Sequence, residues 1–148
     1  MSEVLVFAID GLQFALRVRA VDRVVRAVYV TPLPGAPDVV IGVINVQGRI
    51  IPVADVRKRL GLPQREIRLT DHFIIARTSY RTLALVVDEV AGMLEVSDQT
   101  VVPSREILRD FDGVEGAVRL SNELILIHDL SQFLSIEEER ALENALRG

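Results

Sequence analysis

Short apolar runs punctuated by turn residues organise most of this chain. "VLVFAID" and "LQFALRV" flank Asp10-Gly11, a pair suited to a two-residue type I′ hairpin turn, whose central positions both need positive φ. "TPLPGAP" at 31–37 reads as a rigid loop, because Pro32, Pro34 and Pro37 cannot donate to a ladder. Then come "VVIGVINV", "RIIPVADV", "HFIIART", "TLALVVDEV", "GAVRL" and "ELILIHDL". Runs of this length separated by turns predict a mainly β fold of barrels or a sandwich rather than βαβ units. Helical signals are few. Asp55 is placed to N-cap "VRKRL", with Gly61 at its end and Pro63 beyond. Ser135 and Glu138 form a capping box ahead of a C-terminal helix over 135–148, whose narrow stripe of Leu142, Ala145 and Leu146 predicts light packing.

The pattern repeats. "GVINVQGRIIPVADVRKRL" (42–60) aligns with "GAVRLSNELILIHDLSQFL" (116–134), placing Gly42 on Gly116, Asp55 on Asp129 and Leu60 on Leu134. At the turn Gly48 meets Asn122, the two residue types most tolerant of a left-handed backbone. "FALRVRAVDRVV" (14–25) likewise aligns with "LALVVDEVAGML" (83–94). Two matches in the same order, at offsets of 74 and 69 residues, predict two similar β-barrels, with repeat segments 14–60 and 83–134.

Within the first repeat, "GVINVQGRIIPVADV" interrupts a buried-looking strand with three polar or ladder-breaking residues. Glutamine is a poor residue for positive φ, so Gln47-Gly48 predicts a type I turn with Gly48 as a left-handed bulge residue. Pro52 predicts an edge strand or a local bulge. Asn45 is placed to anchor the turn backbone through its amide, and Asp55 to cap the helix that leaves the strand.

Composition narrows the function. The 148 residues are 49% hydrophobic, yet the longest apolar runs fall far short of the roughly 20 residues of a membrane span. The start of the chain has no basic region or cleavage site of a signal peptide, and there is no cysteine, which fits a cytoplasmic setting. The net charge of −4 is uneven: residues 1–68 carry ten Arg/Lys against six Asp/Glu, and residues 69–148 seven against fifteen. That asymmetry can orient a docking partner, but no dense basic run or aromatic platform points to nucleic acid. Two histidines, each adjoining an acid (Asp71-His72, His128-Asp129), point to opposite faces of a strand and form no metal clamp or dyad. Ser79, Ser97, Ser104, Ser121 and Ser135 lie in turn-like settings without a nucleophile elbow, and "DFDGVEG" (110–116) lacks the spacing of a calcium loop. No catalytic residue, metal or cofactor is expected.

The residues of 42–62, "GVINVQGRIIPVADVRKRLGL", resemble the G-x-x-N-x-R-G-x-x-x-P-V-x-D-L pattern of the CheW-like coupling proteins. "LALVVDEVAGMLEVSDQTVVP" resembles their second-half segment, and "LILIHDLSQFL" their closing strand and helix. The likeness runs over about residues 3–146 and implies a single domain of two intertwined five-stranded SH3-like β-barrels. It also implies a non-catalytic adaptor that binds a chemoreceptor's cytoplasmic tip and the regulatory domain of a CheA-type histidine kinase. Gly42, Asn45, Gly48, Pro52, Val53 and Asp55 match the pattern. The family's arginine before the turn glycine is Gln47 here, and the glutamate of its V-x-E-V segment falls on Arg23. Carried over, the expected partner-binding residues are Val21, Arg23, Asn45, Gln47, Gly48, Val86 and Val87, the valines in a groove between the barrels. Asp10, Gly11, Gly42, Pro52, Asp55 and Asp129 are expected to be structural. The rewritten charges at Arg23 and Gln47 raise the alternative of an adaptor for a non-flagellar pathway. A ligand-sensing barrel, with a polar-lined cavity between the subdomains, is the reading from another functional class.

Overall fold

The computed structural model describes residues 2–97, 101–103, 114–120 and 123–148. The strands run in the order β1 (Ser2–Ile9), β2 (Leu12–Arg17), β3 (Val21–Arg26), β4 (Val40–Val46) and β5 (Arg49–Ala54). After helix α1 (Val56–Leu60) come β6 (His72–Arg77), β7 (Thr82–Val87), β8 (Glu89–Val96) and β9 (Val101–Pro103). β10 (Val114–Leu120) and β11 (Glu123–His128) precede a 3-10 turn at Leu130–Gln132 and helix α2 (Ile136–Arg147). Among the described residues no helix is long and apolar enough to cross a membrane.

Two sheets result, ordered β8-β1-β2-β11-β10-β9 and β3-β6-β7-β5-β4. Each contains a hairpin borrowed from the other half of the chain. β1-β2 is inserted among second-half strands, and β6-β7 among first-half strands. The joins are short parallel pairings: Leu126, Ile127 and His128 of β11 against Phe14, Ala15 and Leu16, and Val53 and Ala54 of β5 against Ala84 and Leu85. These pairings coincide under the sequence offsets, since Ile127 lies 74 residues after Val53 and Ala84 lies 69 after Ala15. The bulges coincide too. β3 shifts register between Val21 and Arg23, and β8 does so opposite Val6/Phe7, where Gly92 and Val90 are the partners. The fold is therefore an exchange between two pseudo-equivalent SH3-like units. One sheet has six strands rather than the five expected. The extra strand is β9, and its counterpart is reduced to one bridge, Thr31 with Val43, because the prolines of 31–37 cannot extend a ladder.

The exchange explains why the borrowed hairpins lack polar alternation. In β1, Val4 and Val6 enter the interior of the first sheet, while Leu5, Phe7 and Ile9 enter a central core between the sheets. In β6, Phe73 and Ile75 fill the second sheet's interior, and Ile74 and Ala76 join the central core. A strand buried on both faces reads as a continuous apolar run.

The turn at Asp10-Gly11 has positive φ at both residues, 54° and 76°. Pro52 requires a correction. Its strand β5 lies inside the sheet, between β7 and β4, and the register shift of the pair falls between Val40 and Gly42 on β4. Val43 exchanges both backbone hydrogen bonds with Thr31, at 2.9 and 2.8 Å. The Val43–Pro52 pair is therefore non-hydrogen-bonded, and the proline nitrogen faces the other flank. There β7 pairs only with Val53 and Ala54. The missing donor breaks no ladder bond.

Gly42 and Gly116 are required by close approach. A Cβ on Gly42 would lie 2.2 Å from the Thr31 carbonyl oxygen, and one on Gly116 would lie 2.7 Å from that of Val102. The matched turn residue Asn122, and most of "DFDGVEG", lie outside the described residues. The Gly42→Ala variant is expected to lose about 2–3 kcal/mol of stability in urea unfolding, because backbone on both sides must shift. Gly116→Ala should lose less, in keeping with its larger clearance.

Candidate partner-binding surface

At the tip of β4-β5, Val46 pairs with Arg49 and leaves a two-residue turn. Gln47 has φ 51° and Gly48 φ 84°, so the turn is type I′, not the type I turn with a bulge expected from glutamine's reluctance. Asn45 Oδ1 accepts from the Gly48 N–H at 2.8 Å, and this side-chain bond helps hold Gln47 in the left-handed region. Gln47, Gly48, Asn45 and the neighbouring Arg49 are all exposed, as is Ile50 at 59%.

Arg23 is exposed on β3, directly after the bulged residue Asp22. The sheet curls enough to bring Asp22 Oδ2 within 3.8 Å of Arg49 Nη1. Arg23 and Gln47 thus flank an acid–base contact made by residues one and two positions away. Both partners are well exposed, and such a pair contributes at most about 1 kcal/mol. A bulge re-aims side chains, so the acid here stands at Asp22.

The three valines separate. Val21 is partly buried against the central core, and Val86 against the interior of the second sheet. Val87 is 0% exposed within the central core, so it contributes packing and cannot touch a partner. Val86 and Val87 point to opposite faces of β7, one toward the second sheet's interior and the other into the central core, as strand alternation requires.

At the other end of β5, where α1 begins, lies a polar network that motif reading missed. Arg57, on α1 and 7% exposed, donates from Nη1 to Asp10 Oδ1 (2.6 Å) and the Pro63 carbonyl (2.9 Å). Its Nη2 donates to both oxygens of Asp88, at 2.9 and 3.0 Å. Arg65 joins Asp88 (2.7 Å) to Asp71, which it grips with two bonds of 2.8 and 2.7 Å. Asp10, an expected turn residue, therefore also carries an ion pair, and its own N–H donates to Asp88 Oδ2 at 2.9 Å. Asp88 belongs to the "VVDEV" segment, where a carboxylate between two apolar runs was the available signal. The Arg57 partner had none, because it is one of three consecutive basic residues in α1, Arg57, Lys58 and Arg59.

Both predicted caps are present in geometry. Asp55 accepts from the Lys58 N–H (3.1 Å), and Asp129 from the Ser131 N–H (2.9 Å). The Ser135/Glu138 capping box is complete. Helix α2 is held more firmly than its narrow stripe suggests. Leu142 is fully buried, Arg59 donates to both Glu138 oxygens (2.7 and 2.6 Å), and Arg81 pairs with Glu139 and Glu143. Among the described residues, no three His, Cys, Asp or Glu gather as a metal site.

A family model described as "CheW-like domain" matches residues 3–138. The chain belongs to the CheW-like family. The chemotaxis protein CheW of Rhizobium meliloti is 30% identical over 141 residues, covering 94% of this chain and 91% of that protein. The CheW of Bacillus subtilis is 32% identical over 144 residues, covering 95% and 91%. Protein FrzA of Myxococcus xanthus is 26% identical over 102 residues, covering 69% and 64%. A crystal structure of the scaffolding protein CheW from Thermoanaerobacter tengcongensis superposes with a TM-score of 0.83 at 27% identity, covering 93% and 94%. Within this CheW-like frame, the two positions that depart from the family pattern, Arg23 and Gln47, sit beside the Asp22–Arg49 contact.

Two measurements test this geometry. Asparagine is better suited than glutamine to the first position of a type I′ turn, so Gln47→Asn is expected to raise stability by up to about 1 kcal/mol in thermal melts. Burial pushes the Asp71 carboxyl up, but the Arg65 guanidinium and the Arg68 N–H outweigh it and hold the group below the usual carboxylate range. Burial likewise raises Glu138, and the Ser135 N–H and Arg59 reverse it. A carboxyl depressed in the folded state stabilises fully above its unfolded pKa of about 4 and loses that contribution as pH falls through the folded value. Asp71→Asn should therefore cost about 3 kcal/mol near neutral pH and flatten the acid limb of the stability profile below about pH 4.

Proposed function

We propose that this chain is a non-catalytic chemosensory adaptor. It joins the cytoplasmic tips of chemoreceptors (methyl-accepting chemotaxis proteins) to the regulatory domain of a CheA-type histidine kinase. The observation that carries the reading is the CheW-like match over 3–138, on a fold that superposes at a TM-score of 0.83 with a protein described as scaffolding. In this reading the exposed cluster of Arg23, Asn45, Gln47 and Gly48 contributes to the receptor-facing surface. Val21 and Val86 line the groove edge, and the protein works in the cytoplasm at membrane-associated receptor arrays.

A role in a non-flagellar pathway is not favoured. The relatives named for chemotaxis span more than nine-tenths of this chain, whereas FrzA matches 69% of it. A ligand-sensing barrel is not favoured either, since the central core between the two sheets is filled by aliphatic and aromatic side chains.

Reconstitution with receptor-bearing membranes and the kinase tests the proposal. Kinase autophosphorylation is expected to come under receptor control only when this chain is added. Receptor control that is the same with and without it would overturn the reading. Arg23→Glu should change receptor binding more than kinase binding, as interface charges govern partner choice.

A further inference from the structure

The buried Arg57 site has a pseudo-symmetric counterpart that is open. Under the two repeat offsets Arg57 corresponds to Ser131, Asp88 to Arg19, and Asp10 to Ser79. These three counterparts all line one cleft of about 250 Å³, where the β2–β3 linker, the β6–β7 turn and the end of β11 meet. On the first side a guanidinium fills the space between two carboxylates. On the second the long side chain is replaced by a serine, and an acid by an arginine. The result is a hole of side-chain size with the charge of its wall inverted.

The charges around the cleft are unequally committed. Arg17 is bound to Glu115 at 2.6 Å and to Ser2 Oγ at 2.7 Å, and Asp129 accepts from Ser131 N and Oγ at 2.9 and 2.6 Å. Arg77 donates to the backbone oxygen of Arg19 at 3.2 Å, which holds one guanidinium against the other residue's linker. Arg19 and Arg77 are both exposed, and neither has a carboxylate partner among the described residues. Ser79 and Ser131 add small polar walls.

We propose that this cleft binds a carboxylate, seated between Arg19 and Arg77 where the other half of the molecule places its own buried ion pair. Arginine forks match a carboxylate in two-point geometry. The site stands independently of the adaptor reading, because it rests on the cleft and the pseudo-symmetry alone. The carboxylate comes either from a Glu or Asp side chain of a docked protein or from a free dicarboxylate.

Titration of the intact ¹⁵N-labelled chain distinguishes these sources. Acetyl-Ala-Glu-Ala-amide and glutarate are the probes, with acetyl-Ala-Gln-Ala-amide and glutaramide as neutral controls. Saturable shifts confined to the amides of Thr78, Ser79 and Ser131 with a charged probe, and none with its control, are expected. A preference for the peptide assigns the site to a protein side chain, and a preference for glutarate to a small molecule. The Arg19→Ala/Arg77→Ala double variant should bind at least about tenfold more weakly. Ser79→Glu removes no arginine and supplies an internal carboxylate at the position of Asp10. It should block the probe and raise the melting temperature. Absence of shifts with both charged probes, equal shifts with the neutral controls, or unchanged affinity in folded Arg19→Ala/Arg77→Ala protein would each overturn the proposal.

Discussion

Arg57 is the point on which the arrangement of the two halves depends. A short helix aims one guanidinium at the turn of one exchanged hairpin, through Asp10, and at the end of the other, through Asp88. Removing charges from water is expensive, and the cost is recovered only where geometry is good and the remaining hydrogen-bond capacity is filled. Here the Pro63 carbonyl and the Asp10 N–H complete that filling. The geometry is supplied in turn by the helix. Asp55 caps its first turn, and Gly61 ends it in the left-handed conformation at φ 71°. A misplaced α1 would leave two carboxylates and a guanidinium half-buried without partners. The network thus penalises any packing of the hairpins other than this one.

Such a device is needed because the exchanged hairpins carry weak register information. Ordinary half-buried strands resist slipping by one residue, since the slip would turn apolar side chains outward. Strands β1 and β6 are apolar on both faces, so polarity alone does not oppose a slip. Size does. The parallel joins put Ala15 and Ala84 in the sheet interiors, with larger residues facing the central core on either side. Gly42 and Gly116 tolerate no Cβ, which locks the adjoining hairpins against the segments that cross them. Shape, bulges and the Arg57 network together do what alternation does in simpler sheets.

These causes explain what the chain discloses when read in one dimension. Local chemistry was legible: the Asp10-Gly11 turn, the caps at Asp55, Asp129 and Ser135, and the Asn45 anchor each involve residues at most a few positions apart. The duplication was legible as well, because two alignments in one order leave a trace. Exchange of hairpins was named only through family likeness, since no local pattern states which strand lies beside which. Gln47 misled because a neighbour's amide outweighed its own backbone preference. Pro52 misled because its nitrogen points to a flank that β7 joins one residue later. Val87 misled because it alternates with Val86, and spacing alone does not say which of the two enters the central core. Arg57–Asp88 joins residues 31 apart and was invisible to any motif.

Duplication also shapes what the surface can distinguish. The two hairpin tips share an exposed aliphatic residue, Ile50 in one and Leu124 in the other, at 59% and 49% exposure. Beside them the charges are opposite: Arg49 on the first tip corresponds to Glu123 on the second. The residues that maintain the frame, Gly42 with Gly116 and Asp55 with Asp129, are the same in both halves. The residues that differ, Arg57 with Ser131, Asp88 with Arg19 and Arg49 with Glu123, are those whose side chains reach a charge or the solvent. Two copies of one unit thus keep their backbone geometry while presenting unlike chemistry. Charge complementarity governs which partner is accepted more than how tightly it is held. A partner with the same pseudo-twofold shape would therefore meet two faces alike in form and opposite in sign, and could engage them in only one order.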